Sequence, residues 1–178
     1  MTVTILAVAL ITLMSFSLSS GASAQAETMA VLPGLKGVFT STQPEGIGII
    51  DGQLANCPTT PNCVVSQRAD ADHAIAPITY TTDLATARQN LVDILGVVPR
   101  TQIVQQSDDY ILAMSESRLM GFVDDSEFYF PADESVIQIR AAARLGESDL
   151  GVNRRRLEQI RLAFQDLEQR TAASKTAE

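Results

Sequence analysis

Met120 to Arg144 reads MGFVDDSEFYFPADESVIQIRAAAR, and this stretch decides the fold. Aromatic and β-branched residues, which favour strands, are frequent in both halves, and the proline-led segment 131–134 between them is typical of a turn. The stretch therefore predicts two antiparallel strands, residues 120–130 and 135–144, joined by a hairpin loop. Apolar and polar residues alternate along the second strand, so we expect one face in the core.

The pairing of these strands follows from the apolar residues that it brings together. If residues 131–134 form the loop, Phe128 faces Ile137 on the core side of the sheet. The same register places Asp125 opposite Arg140. We prefer this register because a slip of one residue would move the apolar side chains to the other face.

The register also assigns the remaining charged side chains to faces. Arg140 and Arg144 point the same way, and Glu127 stands opposite Gln138. Asp124 falls on the core side, a costly location for a carboxylate without a partner. A local bulge that turns Asp124 outward is the alternative, and the sequence leaves both open.

The rest of the chain supplies the other elements of the domain. The patterns predict strands over residues 78–81, 101–106 and 109–116, a helix capped by Asp83, and a final helix capped by Asn153. The order strand, helix, four strands, helix predicts an α+β fold, an antiparallel sheet of about five strands with two helices on one face. A loop-rich, disulfide-closed segment precedes it and is expected to pack over the domain.

The two cysteines lie in the loop-forming segment Cys57-Pro58-Thr59-Thr60-Pro61-Asn62-Cys63. An even number of cysteines this close together predicts a disulfide between Cys57 and Cys63 in an exported protein. A redox pair and a metal site with His73 are the alternatives, yet two thiols and one imidazole leave a tetrahedral zinc site one ligand short. We therefore expect no metal and no cofactor, and a solvated His73.

The N-terminal segment contains no charged residue before Glu27. An apolar run is followed by small residues and by two overlapping Ala-x-Ala sites that end at Ala24 and Ala26, the order found in signal peptides. Residues 1–26 thus predict export to the periplasm or a thylakoid-type lumen. Because no Lys or Arg precedes the apolar run, an uncleaved membrane anchor over residues 3–20 is the alternative.

These patterns divide the chain into four segments. They are a signal peptide or anchor over residues 1–26, a linker over 27–45, one α+β domain over 46–170, and a frayed tail over 171–178. The net charge of −8 argues against nucleic-acid binding, which needs a concentrated positive surface. We expect an unknown protein or small-molecule partner, and membrane contact only through an uncleaved N-terminal segment.

Charged and polar side chains concentrate in the last two strands and the loop after them. The candidate ligand or polar cluster consists of Asp124, Asp125, Glu127, Arg140, Arg144, Asp149, Asn153 and Arg154. Such a set forms either a cross-strand ladder of salt bridges or a polar pocket. The leading interpretation is a non-catalytic binding or assembly module. The alternative is an enzyme that uses Asp124, Asp125 or Glu127 with Arg140 or Arg144 in the pocket.

Conventional catalytic signatures are scarce in this sequence. His73 is the only histidine, and the chain has no G-x-S-x-G motif, P-loop or H-E-x-x-H motif. Three consecutive arginines, Arg154, Arg155 and Arg156, lie at the start of the final helix, where the helix dipole disfavours them. We expect a carboxylate, that of Asp149 or Asp125, to hold at least one of them.

Three ordered blocks of sequence resemble those of the DUF1499 family. They are Gly48 to Leu54 with Cys57 to Gln67, then Phe122 to Phe128, and then Arg140 to Arg154. The resemblance covers about residues 46–165. It implies a single domain of this family, and since the family is named for having no assigned function, it implies no reaction.

Overall fold

The computed structural model describes residues 41–176. The predicted signal peptide or anchor and most of the predicted linker lie outside the described residues. The elements are β1 (Ile49–Ile50), β2 (Gln53–Leu54), β3 (Cys63–Val65), β4 (Ile78–Thr79), α1 (Leu84–Val97), β5 (Thr101–Gln106), β6 (Tyr110–Glu116), β7 (Val123–Tyr129), β8 (Val136–Ala143) and α2 (Val152–Thr176). The helix α2 thus continues into the segment that begins at Thr171.

The predicted α+β class is confirmed. Five strands form an antiparallel sheet in the order β3-β8-β7-β6-β5, and β4 pairs with the same edge of β8 as β3 does. A two-stranded sheet of β1 and β2 stands apart from it. At the far edge, a register shift between Ile103 and Gln105 interrupts the pairing of β5 with β6.

Both helices pack on one face of the sheet, as predicted. In α1 the Asp83 carboxylate accepts a hydrogen bond from the Thr86 backbone N–H at 2.9 Å and caps the helix. The buried stripes of the two helices join the apolar side chains of the central strands in one core. Phe128, Ile139 and Phe164 are among its fully buried members. Between residues 41 and 176, no helix has the length and apolar character that crossing a bilayer requires.

The start of α2 differs from the prediction, which made Asn153 the cap. The helix begins at Val152, and the Asp149 carboxylate accepts hydrogen bonds from the backbone N–H groups of Gly151 at 2.9 Å and Asn153 at 2.7 Å. Asn153 lies inside the first turn and is buried. Its side-chain amide donates to the carbonyl oxygen of Asn62 at 3.2 Å, so it attaches the helix to the cysteine loop.

The loop-rich segment was expected only to pack over the domain, but part of it belongs to the main sheet. Its residues 63–65 form β3, with Cys63 opposite Ala142 and Val65 opposite Arg140 in β8. A strand of three buried residues shows no alternation, so its sequence carries no strand signal. Residues 44–56, here called the covering segment, lie over the sheet face that the helices leave open, where Leu54 packs with Val65 and Leu112.

The predicted disulfide between Cys57 and Cys63 is present, with the two Cα atoms 5.6 Å apart. It joins the end of the covering segment to the first residue of β3. Asn62, inside the bridged loop, donates from its side-chain amide to the carbonyl oxygen of Gly146 at 2.6 Å. The bridge therefore ties the covering segment to the sheet edge and to the loop before α2.

Candidate functional site

The hairpin of β7 and β8 pairs two residues away from the predicted register. Glu127 stands opposite Arg140, and Asp125 stands opposite Ala142. The connection between the strands holds the six residues 130–135, because β7 ends at Tyr129 and β8 begins at Val136. A shift of two residues keeps every side chain on its predicted face but changes its partner.

Two ion pairs lie on the sheet face that the helices leave open. The Glu127 carboxylate, which is 0% exposed, accepts from Nη1 of Arg140 at 2.7 Å. Asp125 accepts from Nε and Nη2 of Arg144, both at 2.7 Å, in a bidentate pair. This hydrogen bond with Asp125 raises the pKa of Arg144. These four side chains are called the buried ion-pair cluster below.

Glu127 is also the acceptor for two further groups. The Tyr110 hydroxyl donates to its Oε1 at 2.9 Å, and the backbone N–H of Gly48 donates to the same oxygen at 2.8 Å. Burial, together with the negative charge of Glu127, raises the pKa of Tyr110, so the phenol stays protonated as the donor. Through Gly48, the covering segment is attached to the charged centre of the sheet.

Asp124 lies on the core side of β7, the first of the two orientations open from the sequence. It is 5% exposed, and its Oδ2 accepts from Nη2 of Arg156 at 2.9 Å. Burial raises its pKa, and the attraction of Arg156 opposes that effect only in part. The expectation that a carboxylate holds one of the three consecutive arginines is confirmed, but the carboxylate is that of Asp124 and not that of Asp149 or Asp125.

The other two consecutive arginines bind backbone carbonyl groups. Arg154 donates to the carbonyl oxygens of Ala74 at 2.5 Å and Asp72 at 2.7 Å, and Arg155 donates to that of Leu150 at 2.8 Å. The eight candidate residues therefore do not form one site. Asp125, Glu127, Arg140 and Arg144 lie on the open face of the sheet, Asp124, Asp149 and Asn153 lie near the start of α2, and Arg154 stands apart.

A cavity of about 570 Å³ lies between the covering segment and the sheet. Arg140 is the one member of the buried ion-pair cluster that lines it. The Nε atom of this arginine is buried and has no hydrogen-bond partner among residues 41–176. Sequence reasoning missed the cavity because the position of the covering segment depends on contacts with strands far along the chain.

A smaller cavity of about 140 Å³ lies at the start of α2. Asp124 and Asp149 line it together with the side chains of Phe122, Leu145 and Val152. The Asp149 carboxylate is occupied in capping α2, whereas burial raises the pKa of Asp124. The lining is largely apolar, which accounts for the desolvation of Asp124.

His73 is buried, at 7% exposure, and not solvated as the sequence predicts. Its Nδ1 lies 2.8 Å from Oδ1 of Asp70, and its Nε2 lies 3.2 Å from the carbonyl oxygen of Thr60. Both ring nitrogens therefore face acceptors, an arrangement that only the doubly protonated imidazolium satisfies. The hydrogen bond to Asp70 raises the pKa of His73, and the same contact lowers the pKa of Asp70.

These contacts bear on the metal and redox alternatives. The sulfurs of Cys57 and Cys63 are bonded to each other, and both nitrogens of His73 are engaged by protein oxygens. Within residues 41–176, no group of three or more His, Cys, Asp and Glu side chains is arranged to hold a metal ion. Since Thr60 lies inside the bridged loop, His73 fastens this loop to the neighbouring turn.

The comparisons with known proteins agree with the resemblance inferred from sequence blocks. The family described as Protein of unknown function (DUF1499) matches residues 53–164, which include the disulfide and the buried ion-pair cluster. Neither the comparison with curated proteins nor that with solved structures finds a match.

The contacts of His73 predict a stability that falls as pH rises. The pKa of His73 is higher in the folded protein than in the unfolded chain. The resulting stabilisation is complete below the unfolded-state pKa of about 6.5, and it is lost as the pH rises through the folded-state pKa. Urea unfolding of the wild type should therefore show a decline in stability above about pH 6.5 that H73Q lacks. D133N, on an exposed loop, serves as the control and should keep the wild-type decline. Parallel pH profiles for wild type and H73Q would contradict the assignment.

The burial of Glu127 predicts a large loss of stability on neutralisation. E127Q keeps the shape of the side chain but leaves Arg140 buried without a counter-charge, so the free energy of unfolding should fall by about 3 kcal/mol. The control is D166N, because Asp166 pairs with Arg170 on the exposed part of α2 and the loss of this pair should cost no more than about 0.5 kcal/mol. Chemical denaturation measures both, and equal effects would show that the Glu127 pair contributes no more than a surface pair.

Proposed function

This chain belongs to the DUF1499 family of proteins of unknown function, and we propose that it is a non-catalytic binding or assembly module of an oxidising extracytoplasmic compartment. The proposal rests on one observation. Each acidic side chain of β7 is paired with its own arginine: Asp124 with Arg156, Asp125 with Arg144 and Glu127 with Arg140.

This pairing disfavours acid–base chemistry at the cluster. A general acid or base must lie within reach of the substrate atom that gains or loses the proton. Glu127 instead accepts hydrogen bonds from Arg140, Tyr110 and Gly48, and Asp125 is 1% exposed in its bidentate pair. The carboxylates thus hold the sheet and the covering segment together, and the cavity beside Arg140 supplies space for a ligand.

The disulfide and the N-terminal pattern support the proposed compartment. A disulfide between Cys57 and Cys63 indicates an oxidising environment, since cytosolic reductants keep thiols reduced. The apolar run and Ala-x-Ala sites within residues 1–26 support export to a periplasm or thylakoid-type lumen.

Asp124 favours a second candidate function, that of an enzyme. Its raised pKa and its place in the smaller cavity are features that catalytic acids share. The ion pair with Arg156 and the absence of a second free carboxylate among the described lining residues weaken this candidate, because Asp149 is committed to the cap of α2.

Export can be tested by the mass of the mature chain. We expect cleavage after Ala24 or Ala26, so the released protein should begin at Gln25 or Glu27. A24L should block both sites, because Ala24 is the last residue of the first site and the first residue of the second. A30L, beyond both sites, is the control. Recovery of the whole chain in the cytoplasm with reduced thiols would contradict export.

Binding can be tested on the purified mature protein with its disulfide intact. We expect at least one class of small anion, cation or lipid to raise the midpoint of thermal unfolding, or a defined partner to be captured by crosslinking. Failure of both across a broad panel would count against a binding module. Conversion of any panel compound by the wild type but not by D124N would favour the enzyme.

A further inference from the structure

Arg144 shows how this sheet face binds a carboxylate. Its Nε and Nη2 donate to the two oxygens of Asp125, each at 2.7 Å, so one edge of the planar guanidinium holds the whole group. This side-on bidentate geometry matches the spacing of carboxylate oxygens to that of two parallel N–H groups. Arg140 lies four residues earlier on the same face of the strand. The contact of Arg144 with Asp125 therefore shows how the same edge of the Arg140 guanidinium can bind a carboxylate.

The corresponding edge of Arg140 has no such partner. The side chain is 8% exposed, and Nη1 donates to Glu127, its one side-chain hydrogen bond within residues 41–176. Nε is buried and unpaired in the same region. A buried N–H of a charged group without an acceptor is costly, because it loses its hydration and gains nothing in exchange. An oxyanion placed against this edge would remove that cost.

The cavity next to Arg140 has the size and lining for a small organic acid. Its volume of about 570 Å³ lies within the range of small-molecule sites. Pro44, Ile47, Ile50 and Leu54 supply apolar side chains to the same lining. A ligand with a charged head and a short hydrocarbon body would satisfy both parts of the lining.

The charges around the cavity limit the ligand to a single negative charge. Arg68, on the exposed side of the lining, and Arg140 contribute positive charge, while Glu45 and Asp51 are exposed acids of the same lining. Glu127 already balances Arg140. Di- and trianions would meet repulsion from the two exposed acids, whereas one carboxylate requires only the free edge of Arg140.

We infer that this cavity binds a small monocarboxylate with a short apolar body, held side-on by Nε and Nη2 of Arg140. The inference rests on the proposed binding function and names the ligand class of its site. Because Nε is buried and the covering segment supplies most of the cavity lining, a carboxylate that reaches Nε has to displace part of this segment. Binding therefore perturbs the backbone of residues 44–48 as well as the guanidinium.

The test is an NMR titration of the mature wild-type protein, with the Nε–H signals of Arg140 and Arg144 assigned. The probe is hexanoate. Hexanamide and hexylamine have the same hydrocarbon body without the negative charge, and inorganic phosphate has negative charge without the hydrocarbon body. Hexanoate should shift the Arg140 Nε–H signal and the amides of residues 44–48, and it should leave the Arg144 signal in place. The three comparison compounds should produce neither shift at equal concentration.

Two variants examine the contacts separately. R140K keeps the positive charge but removes the bidentate edge, and we expect hexanoate affinity to fall about tenfold or more. R170K, on an exposed part of α2, is the control and should bind as the wild type does. I50S alters an exposed lining residue without touching the core, so it should weaken hexanoate binding even if R140K fails to fold.

The outcomes separate this inference from the proposed function. Equal shifts with hexanoate and hexanamide, an unchanged Arg140 signal at saturating hexanoate, or unchanged affinity in R140K would each overturn the carboxylate assignment. Phosphate producing the Arg140 shift without hexanoate doing so would overturn it as well. In each of these cases, another ligand from the broad panel or a crosslinked partner would still support a binding module. The proposed function fails only if the ligand panel and the crosslinking both find nothing.

Discussion

The burial of Glu127 is the constraint on which the rest of this structure depends. A carboxylate at the centre of a sheet is tolerable only when its oxygens are fully hydrogen-bonded. Its donors come from three parts of the chain: Arg140 in β8, Tyr110 in β6 and Gly48 in the covering segment. Satisfying one charge therefore fixes the register of the central hairpin and brings the N-terminal segment onto the open sheet face.

Local patterns predicted the elements and faces of this fold well. The bounds of β5, the cap at Asp83 and the core-side position of Phe128 follow from alternation and helix signals that each lie within a few residues. The register of the hairpin did not follow, since a shift of two residues preserves every face and differs only in loop length. The pairing of Glu127 with Arg140 distinguishes the observed register, and no pattern within either strand specifies that partner.

The parts of the candidate site that escaped prediction all depend on contacts between distant segments. His73 is a lone histidine among charged neighbours in sequence, and its burial results from the position of Thr60 in the bridged loop. The pairing of Asp124 with Arg156 joins residues on a strand and on α2. The cavity beside Arg140 exists only because the covering segment folds back over the sheet. Composition and spacing contain none of this information.

The disulfide also has a consequence for self-association. The outer edge of β8 is occupied by β3 and β4, which are only three and two residues long. Strands this short contribute few ladder hydrogen bonds, and β3 begins at Cys63, the bridged residue. Reduction of the bridge would remove one tether of β3 and leave the contacts of Asn62 and His73 to hold it over the edge of β8. An uncovered edge of this kind is a surface to which another chain can add a strand, so the bridge reinforces the cover that β3 gives to β8.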